Sequence, residues 1–297
     1  MVTLQTANKA LKQVYLGVIG NQLNCNTDVV LGKIKQTTSD VWGKEIIKIA
    51  YFEDKTLTFK EKLENIYVSI EISDKAIRCS QNSAGAFVNL LNDEIERMVA
   101  ATQKRLINAF YTEDVKPDYL PNDYNYQPIK LSGLKRLFDI KNETLYGLNR
   151  KEYKELNPVI ETIEQFDPIK IQEIIDNNND EVDVIVCSSK IKREYMQYLS
   201  EHRQTIDIVE CVGGFKCIKF NSNLLMVVAK IPDNEIYLLN TKDFKFHQLC
   251  DWEWLENSNG DILQQVSGLP LYRATLVKYG NYICEKPNKQ IKVILES

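Results

Sequence analysis

Apolar positions follow a helical spacing over one long stretch of the chain, residues 83–111. Asp93, Glu96 and Lys104 lie on the opposite side of the same helix, and 80–83 supplies capping hydroxyls and amides. The pattern predicts one helix of roughly 40 Å at ~1.5 Å per residue, which favours a structural strut. The apolar stripe consists of Phe87, Leu91, Ile95, Met98, Thr102, Leu106 and Ala109.

The residues before this helix have the pattern of strands. Within 44–63, two runs of β-branched and aromatic residues are separated by the charged turn 53–55, which predicts a β-hairpin. Residues 63–72 follow as a strand with partial alternation. The apolar face of that strand consists of Val68, Ile70 and Ile72.

The second half of the chain alternates helical and extended patterns. Asn157 and Pro158 are suited to a cap and a first helical turn, and the isoleucines that follow predict one helix, or two broken at 167–168. Residues 182–187 predict a short buried strand, followed by a capped helix over 190–201. Such a unit belongs to an α+β or α/β layer. Further short strands are predicted at 214–220, 224–229, 235–240, 271–282 and 291–295.

Two stretches have only weak periodicity. Residues 1–45 are polar, and 21–28 is typical of a loop and not of a core, so we expect this segment to be disordered or to lie on another surface. Residues 114–153 are rich in Pro and Tyr and predict a connector with one or two short elements.

Composition and charge exclude several classes of protein. The 297 residues, with 37 Lys and Arg against 41 Asp and Glu, allow one large or two moderate domains with a sizeable core. A formal net charge of -4 argues against a nucleic-acid partner held by a global basic field. The apolar stretch 14–19 is far shorter than the ~20 residues of a membrane span, and no cleavage site follows it, so a cytoplasmic protein is expected.

The cysteines are odd in number and scattered, which predicts reduced thiols and not a disulfide scaffold. The pair at 211 and 217 brackets a predicted turn and could approach, although two buried thiols are favoured in a reducing compartment. The seven are Cys25, Cys79, Cys187, Cys211, Cys217, Cys250 and Cys284.

The chain lacks the sequence motifs of nucleotide binding. The Gly-Lys pairs at 32–33 and 43–44 have neither the upstream Gly nor the following Ser or Thr of a Walker A loop. No Gly-x-Gly-x-x-Gly is present, and 212–214 is interpreted as a turn that needs positive φ. The two histidines, His202 and His247, are too few for a multi-histidine metal centre.

The remaining candidates for chemistry each have a simpler structural interpretation. His247 and Cys250 could share a metal, but no second pair lies at ligand spacing. Asp251 and Glu253 resemble a glycosidase pair, but on a strand they share one face, too close to flank a sugar. Ser188, followed by Ser189 and Lys190, is explained by a helix cap. We therefore predict no catalytic, cofactor-binding or metal-binding residues and no cofactor.

Several longer stretches carry a resemblance to a known family. Together they are similar to the major capsid proteins of tailed bacteriophages that infect low-GC Gram-positive bacteria, and the match covers 15–110 and 157–290. The hairpin lacks the Gly-rich extension expected in relatives, and 114–150 matches weakly. The stretches are 20–24 (GNQLN), 33–38 (KIKQTT), 71–78 (EISDKAIR), 82–91 (NSAGAFVNLL), 237–244 (YLLNTKDF), 247–252 (HQLCDW) and 274–279 (ATLVKY).

The resemblance implies an α+β fold, the Hong Kong 97-type capsid fold. It implies an N-terminal arm, an extended hairpin loop, a long spine helix, and a peripheral and an axial domain. An arm and a hairpin that cannot bury their apolar residues within one subunit are expected to lie on neighbouring copies. The implied boundaries are 1–43 for the arm, 44–63 for the hairpin, 64–119 with 271–297 for the peripheral domain, 83–111 for the spine helix and 120–270 for the axial domain.

The resemblance implies a structural protein and not an enzyme. A major capsid protein self-assembles into pentamers and hexamers that form the icosahedral head shell around phage double-stranded DNA. The implied partners are other copies, DNA contacted non-specifically, and scaffolding, portal and decoration proteins, with no membrane. The implied location is the virion capsid, after assembly in the cytoplasm of the host bacterium. Two alternatives remain: an encapsulin-like shell that houses a cargo enzyme, and an enzyme built on 182–201.

Overall fold

The fold is given by a computed structural model in which the described residues are 5, 8–9, 11, 23, 29–38, 41–79, 84–112, 128–178, 182–202, 208–211, 215–220 and 224–296. The helices are α1 (Val29–Lys33), α2 (Asp74–Cys79), α3 (Ala84–Tyr111), α4 (Leu134–Phe138), α5 (Pro168–Asn177) and α6 (Ser189–Glu201). The strands of the first half are β1 (Lys35–Thr37), β2 (Val41–Trp42), β3 (Glu45–Tyr51), β4 (Thr56–Lys62), β5 (Glu64–Ser73), β6 (Thr144–Leu145) and β7 (Leu148–Asn149). Those of the second half are β8 (Val159–Ile163), β9 (Val184–Cys187), β10 (Ile208–Cys211), β11 (Phe215–Phe220), β12 (Leu224–Val228), β13 (Glu235–Leu239), β14 (Phe244–Gln248), β15 (Glu253–Trp254), β16 (Gln264–Gln265), β17 (Leu271–Cys284) and β18 (Ile291–Leu295).

A six-stranded sheet is built around the long strand β17. This strand pairs antiparallel with β5 over ten residues and also with β14, β15 and β16, while β1 joins β14 in parallel. Alternation along β5 buries one side of the strand, and α3 contacts β5. The buried positions of β5 are Ile66, Val68, Ile70 and Ile72, and those of α3 include Leu91, Ile95, Met98 and Leu106.

A seven-stranded sheet forms the second layer, in the order β10-β11-β12-β9-β13-β18-β8. Its central strand β9 is buried at every position, as the continuous apolar run 182–187 predicts. Helices α5 and α6 pack against this sheet through Ile171, Ile175, Ile191, Tyr195 and Leu199, which share one core cluster with residues of β9, β13 and β18.

The predicted helix after Pro158 is wrong in its first half. Residues Val159–Ile163 form β8, which pairs in parallel with β18. Four of its five residues are β-branched, and such residues favour a strand once a partner strand is available. The helix begins only at Pro168, after Asp167 accepts a hydrogen bond from the Ile169 amide at 2.9 Å.

The expectation that 21–28 is a loop and not part of a core is wrong at Leu23, and the weakly periodic first 45 residues hold further core residues. Leu23, Leu31 and Ile34 are buried, 29–33 is helical, and β1 pairs with β14. These buried residues are few and lie in a largely polar sequence, so they form no sustained periodic pattern. The turn predicted at 212–214 lies outside the described residues.

The two sheets do not follow the domain boundaries that the resemblance implies. β14, β15 and β16, from within 120–270, belong to the sheet of β5 and β17, whereas β18, from within 271–297, belongs to the seven-stranded sheet. The chain passes between the two sheets at 240–243 and again at 285–290. Among the described helices, none combines the length and apolar composition that crossing a bilayer requires.

Candidate assembly surface

The hairpin, residues 44–63, has two faces of different character. β3 and β4 pair in the register Ile49↔Thr58, and β2 adds a third strand to β3. Because side chains alternate along a strand, one face turns toward the body of the subunit. This inner face buries Ile46, Ala50, Leu57 and Phe59.

The outer face of the hairpin exposes large apolar side chains. Trp42 is 78% exposed, Tyr51 71% and Ile49 47%. Trp42 lies opposite Glu45, and Glu45, Ile49 and Tyr51 alternate along β3, so these groups share one face. A cluster of exposed aromatic and aliphatic side chains on a strand surface is typical of a protein interaction site.

A buried polar cluster holds the root of the hairpin. Arg136 Nη1 donates to Glu61 Oε1 at 2.7 Å and to Ser132 Oγ at 2.9 Å. Asn281, which is fully buried on β17, accepts from the Ser132 amide at 2.7 Å and donates to the Lys62 carbonyl at 3.0 Å. Burial raises the pKa of the Glu61 carboxyl above its ordinary value, and Arg136 partly opposes this shift. The cluster fixes the hairpin to α4 and β17.

The described residues of the N-terminal segment lie on their own subunit. Asn8 Oδ1 accepts from the backbone amides of Ile262 and Leu263 at 3.0 and 2.7 Å, and Lys33 forms an ion pair with Asp183 at 3.2 Å. Leu11, Leu23, Leu31 and Ile34 are also buried here, so the expectation that the arm buries its apolar residues only on neighbouring copies is wrong for these four.

Lys278 is a polar core residue that sequence reasoning missed. Its side chain is 1% exposed, and its Nζ lies 3.4 Å from both Asp251 Oδ1 and Gln36 Oε1. The same atom lies 5.3 Å from the ring centre of Phe246 and 5.6 Å from that of Trp252. The alternation of β17 could have revealed its burial, because Lys278 occupies the core-facing position between Leu276 and Gly280.

The candidates for chemistry occupy structural positions. His247 is fully buried on β14 opposite Asn281, and Cys250 is partly buried, with burial raising the pKa of its thiol. Ser188 caps α6, its hydroxyl accepting from the Lys190 amide at 3.2 Å. No metal-binding group of three or more His, Cys, Asp or Glu side chains occurs within the described part of the chain.

The acidic pair Asp251 and Glu253 and the cysteines also occupy structural positions. Asp251 faces solvent beside Lys278, and Glu253 is exposed on β15, while Trp252 and Trp254, which alternate with them, are buried. This alternation is that of a strand edge packed on one side. Among the described residues, Cys79, Cys187, Cys250 and Cys284 are free thiols.

Comparison with solved structures identifies the fold. The capsid of cyanophage A-1(L) matches with a TM-score of 0.57 at 11% identity, over 96% of this chain and 94% of that one. The P4 satellite phage procapsid matches with a TM-score of 0.50 at 11% identity, over 95% and 89%. The chain has the Hong Kong 97-type capsid fold.

The chain is similar in fold to an encapsulin as well. The holo-SrpI encapsulin complex of Synechococcus elongatus PCC 7942 matches with a TM-score of 0.52 at 10% identity, over 88% of this chain and 84% of that one. No family model matches the sequence, and no curated protein matches it. The capsid fold, predicted from the resemblance, is thus confirmed, whereas a Gram-positive host stays a prediction.

Proposed function

We propose that this protein is a major capsid protein whose copies assemble into the pentamers and hexamers of an icosahedral head shell around phage double-stranded DNA. The observation that carries the proposal is the match to a phage capsid over 96% of the chain. The role is structural and not catalytic. It places the protein in the virion capsid after assembly in the bacterial cytoplasm, with scaffolding, portal and decoration proteins as further partners.

The parts of the subunit take the roles implied by the resemblance. Residues 1–43 are the arm, α3 is the spine helix, and the sheet of β5 and β17 belongs to the peripheral domain. The seven-stranded sheet belongs to the axial domain, which then includes β18 as well as strands from 120–270. The formal net charge of -4 is compatible with DNA that is enclosed without tight binding and later leaves.

The outer face of the hairpin is the surface through which one copy contacts the next. The contact is heterologous, because a hairpin of one subunit lies on a different surface of its neighbour, and repeated heterologous contacts close into rings. Burial of Trp42, Ile49 and Tyr51 then supplies apolar contact area that the isolated subunit leaves in water.

The test is assembly of the purified protein, measured by sedimentation velocity and negative-stain microscopy. The wild type is expected to form capsomers or shells, and the double variant Trp42→Ala/Tyr51→Ala to remain smaller while folding normally. Ile169→Ala, at an isoleucine of α5 that is 59% exposed, is the control for loss of exposed apolar surface away from the hairpin. Monomers of the wild type at high concentration would overturn the proposal.

An encapsulin-like shell is the second candidate, supported by the match to the Synechococcus encapsulin. The neighbouring genes discriminate between the two. Terminase and portal genes beside this one favour the phage head, whereas a gene for a peroxidase or a ferritin-like protein favours the cargo shell. Purified shells that contain that enzyme and no DNA would replace the first proposal by the second.

A further inference from the structure

The two stretches in which the sequence departs from its resemblance contact each other in the fold. One is the short hairpin, and the other is residues 134–156, here called the support segment, of which 134–150 belongs to the weakly matching region 114–150. The ring of Phe59 lies 5.1 Å from that of Tyr146, and the Lys60 amide donates to the Tyr146 carbonyl at 2.8 Å. The inner face of the hairpin is therefore covered by its own chain.

The position of Tyr146 is itself fixed. Tyr146 and Gly147 form the two-residue turn between β6 and β7, with φ of 50° and 76°. A tyrosine in the left-handed region is uncommon and persists where the surroundings hold it. Here its hydroxyl accepts from the Cys284 amide at 2.9 Å, so the ring joins the hairpin to β17.

Ion pairs extend this contact from the root of the hairpin to its tip. Arg136 pairs with Glu61 at the root, and Lys48 pairs with Glu285 at 3.2 Å in the middle. At the tip, Lys55 Nζ lies 2.7 Å from a Glu155 oxygen and 5.5 Å from the ring centre of Tyr153. Three of these partners, Arg136, Tyr153 and Glu155, come from the support segment.

We propose that the support segment fixes the hairpin within the subunit before assembly, so that the hairpin enters contacts between copies as a rigid part. Swinging the hairpin away would return Ile46, Ala50, Leu57 and Phe59 to water and break all three ion pairs. The body of the subunit, with the support segment as part of it, thus covers the inner face and leaves the outer face for the next copy. Only the statement about contacts between copies rests on the proposed function.

Hydrogen exchange of the unassembled subunit tests the fixed hairpin directly. Amides of β3 and β4 are expected to be protected by at least about a hundredfold over an unstructured chain, because they open only with the support segment. Tyr146→Ala should lower this protection by about tenfold or more, while the amides paired between β5 and β17 keep theirs. Exchange of wild-type β3 and β4 at the rate of an unstructured chain would overturn the proposal, whether or not shells form.

A disulfide between hairpin and support segment tests rigidity during assembly. A Cβ built on Gly147 would lie 3.4 Å from Lys60 Cβ, close to the spacing of a disulfide, so Lys60→Cys with Gly147→Cys can be oxidised to join them. The oxidised variant is expected to assemble to the same extent as its reduced form, which is the reference because it carries the same strained residue at a φ of +76°. Assembly that appears only after reduction shows that the hairpin must move, and overturns the proposal. Failure of every variant and of the wild type to assemble refutes the proposed function, while the exchange result still decides the fixed hairpin.

Discussion

Glu61 and Arg136 are 75 residues apart in the chain, yet their side chains lie 2.7 Å apart at the root of the hairpin. Glu61 belongs to the inner face of β4, where its carboxylate is almost fully buried, whereas the arginine side chain keeps 41% of its surface exposed. The pair is thus asymmetric: a buried anion depends on a cation that reaches it from the surface. Removal of one partner therefore differs in effect from removal of the other.

The Arg136→Met variant is expected to lose about 2 kcal/mol of unfolding free energy, because it leaves the Glu61 carboxylate buried without its cation. This is less than for a fully buried pair, since the exposed arginine is partly solvated. Glu61→Gln should lose only about 1 kcal/mol, because a neutral amide costs less to bury. Urea unfolding of the unassembled subunit measures both, and equal losses would contradict the asymmetry.

The buried carboxylates also give the hairpin root a defined pH dependence. Burial raises the pKa of Glu61 and of Glu64 above 4.5, and the Glu61 charge raises that of Glu64 further, against the opposing charges of Lys62, Lys130 and Arg136. Because the folded-state pKa lies above the unfolded value, each carboxyl stabilises the fold fully below the unfolded pKa. That contribution is lost as the pH rises through the folded-state pKa.

Between about pH 4 and 7, wild-type stability should therefore fall relative to that of Glu61→Gln. Glu155→Gln is the matched control of opposite sign, because the hydrogen bond from Lys55 lowers the pKa of Glu155, so its contribution is lost on acidification. Thermal unfolding across this pH range measures the differences. A difference in stability between wild type and Glu61→Gln that stays constant with pH would contradict the interpretation.

Local patterns in the sequence predicted the elements that a single periodicity or a single capping residue defines. The stripe of α3, the run of β9 and the cap at Ser188 are of this kind, and each is present. The segment Val159–Ile163 was missed because its isoleucines fit a helix as well as a strand. Its partner β18 lies more than a hundred residues away and carries no local signal.

The candidate site was predictable only in part. The hairpin follows from its two strands and charged turn, but its support by Tyr146 depends on a turn conformation and on long-range contacts. Trp42 lies just before the first predicted strand, so its exposure could not be derived from alternation. Lys278 escaped notice because a buried lysine is rare and needs partners from elsewhere in the chain, here Gln36 of β1, Phe246 of β14 and Asp251 of the loop after β14.

Thiol reactivity should separate the cysteines by burial. Burial raises the pKa of the Cys187 thiol to about 12 and that of Cys284 well above its ordinary value, whereas Cys79 is exposed. The thiolate is the reactive form, so at pH 8 an alkylating reagent should modify Cys79 in minutes and leave Cys187 and Cys284 unmodified until urea is added. Peptide mass spectrometry locates the label. Rapid modification of Cys284 in the folded protein would contradict the burial of its strand.

The buried amine of Lys278 should be replaceable by an apolar side chain of similar length. Lys278→Met is expected to change the unfolding free energy by less than about 1 kcal/mol, because the thioether packs against Phe246 and Trp252 without a charge to desolvate. Asp251→Ala should cost about 1 kcal/mol, since it removes the carboxylate partner of a buried cation. Chemical denaturation measures the unfolding free energy of both variants. A larger loss for Lys278→Met than for Asp251→Ala would show that the charge itself stabilises the core.

Gly133 permits a close approach between the backbone before α4 and the end of α3, and this approach positions the support segment. A Cβ at this position would overlap the carbonyl oxygen of Phe110, near the end of α3, so Gly133→Ala must displace α4 from the long helix. We expect a loss of about 3 kcal/mol or more of unfolding free energy, together with weaker protection of the hairpin amides. Gly43→Ala is the control: its φ of +61° strains an alanine, but nothing lies within 4 Å, so the loss should stay near 1 kcal/mol. Urea unfolding compares the two variants, and a Gly133→Ala protein as stable as Gly43→Ala would show that α3 and α4 do not approach as closely as described. The comparison also bears on assembly, because a subunit whose α4 is displaced loses the position of Arg136 and with it the root of the hairpin.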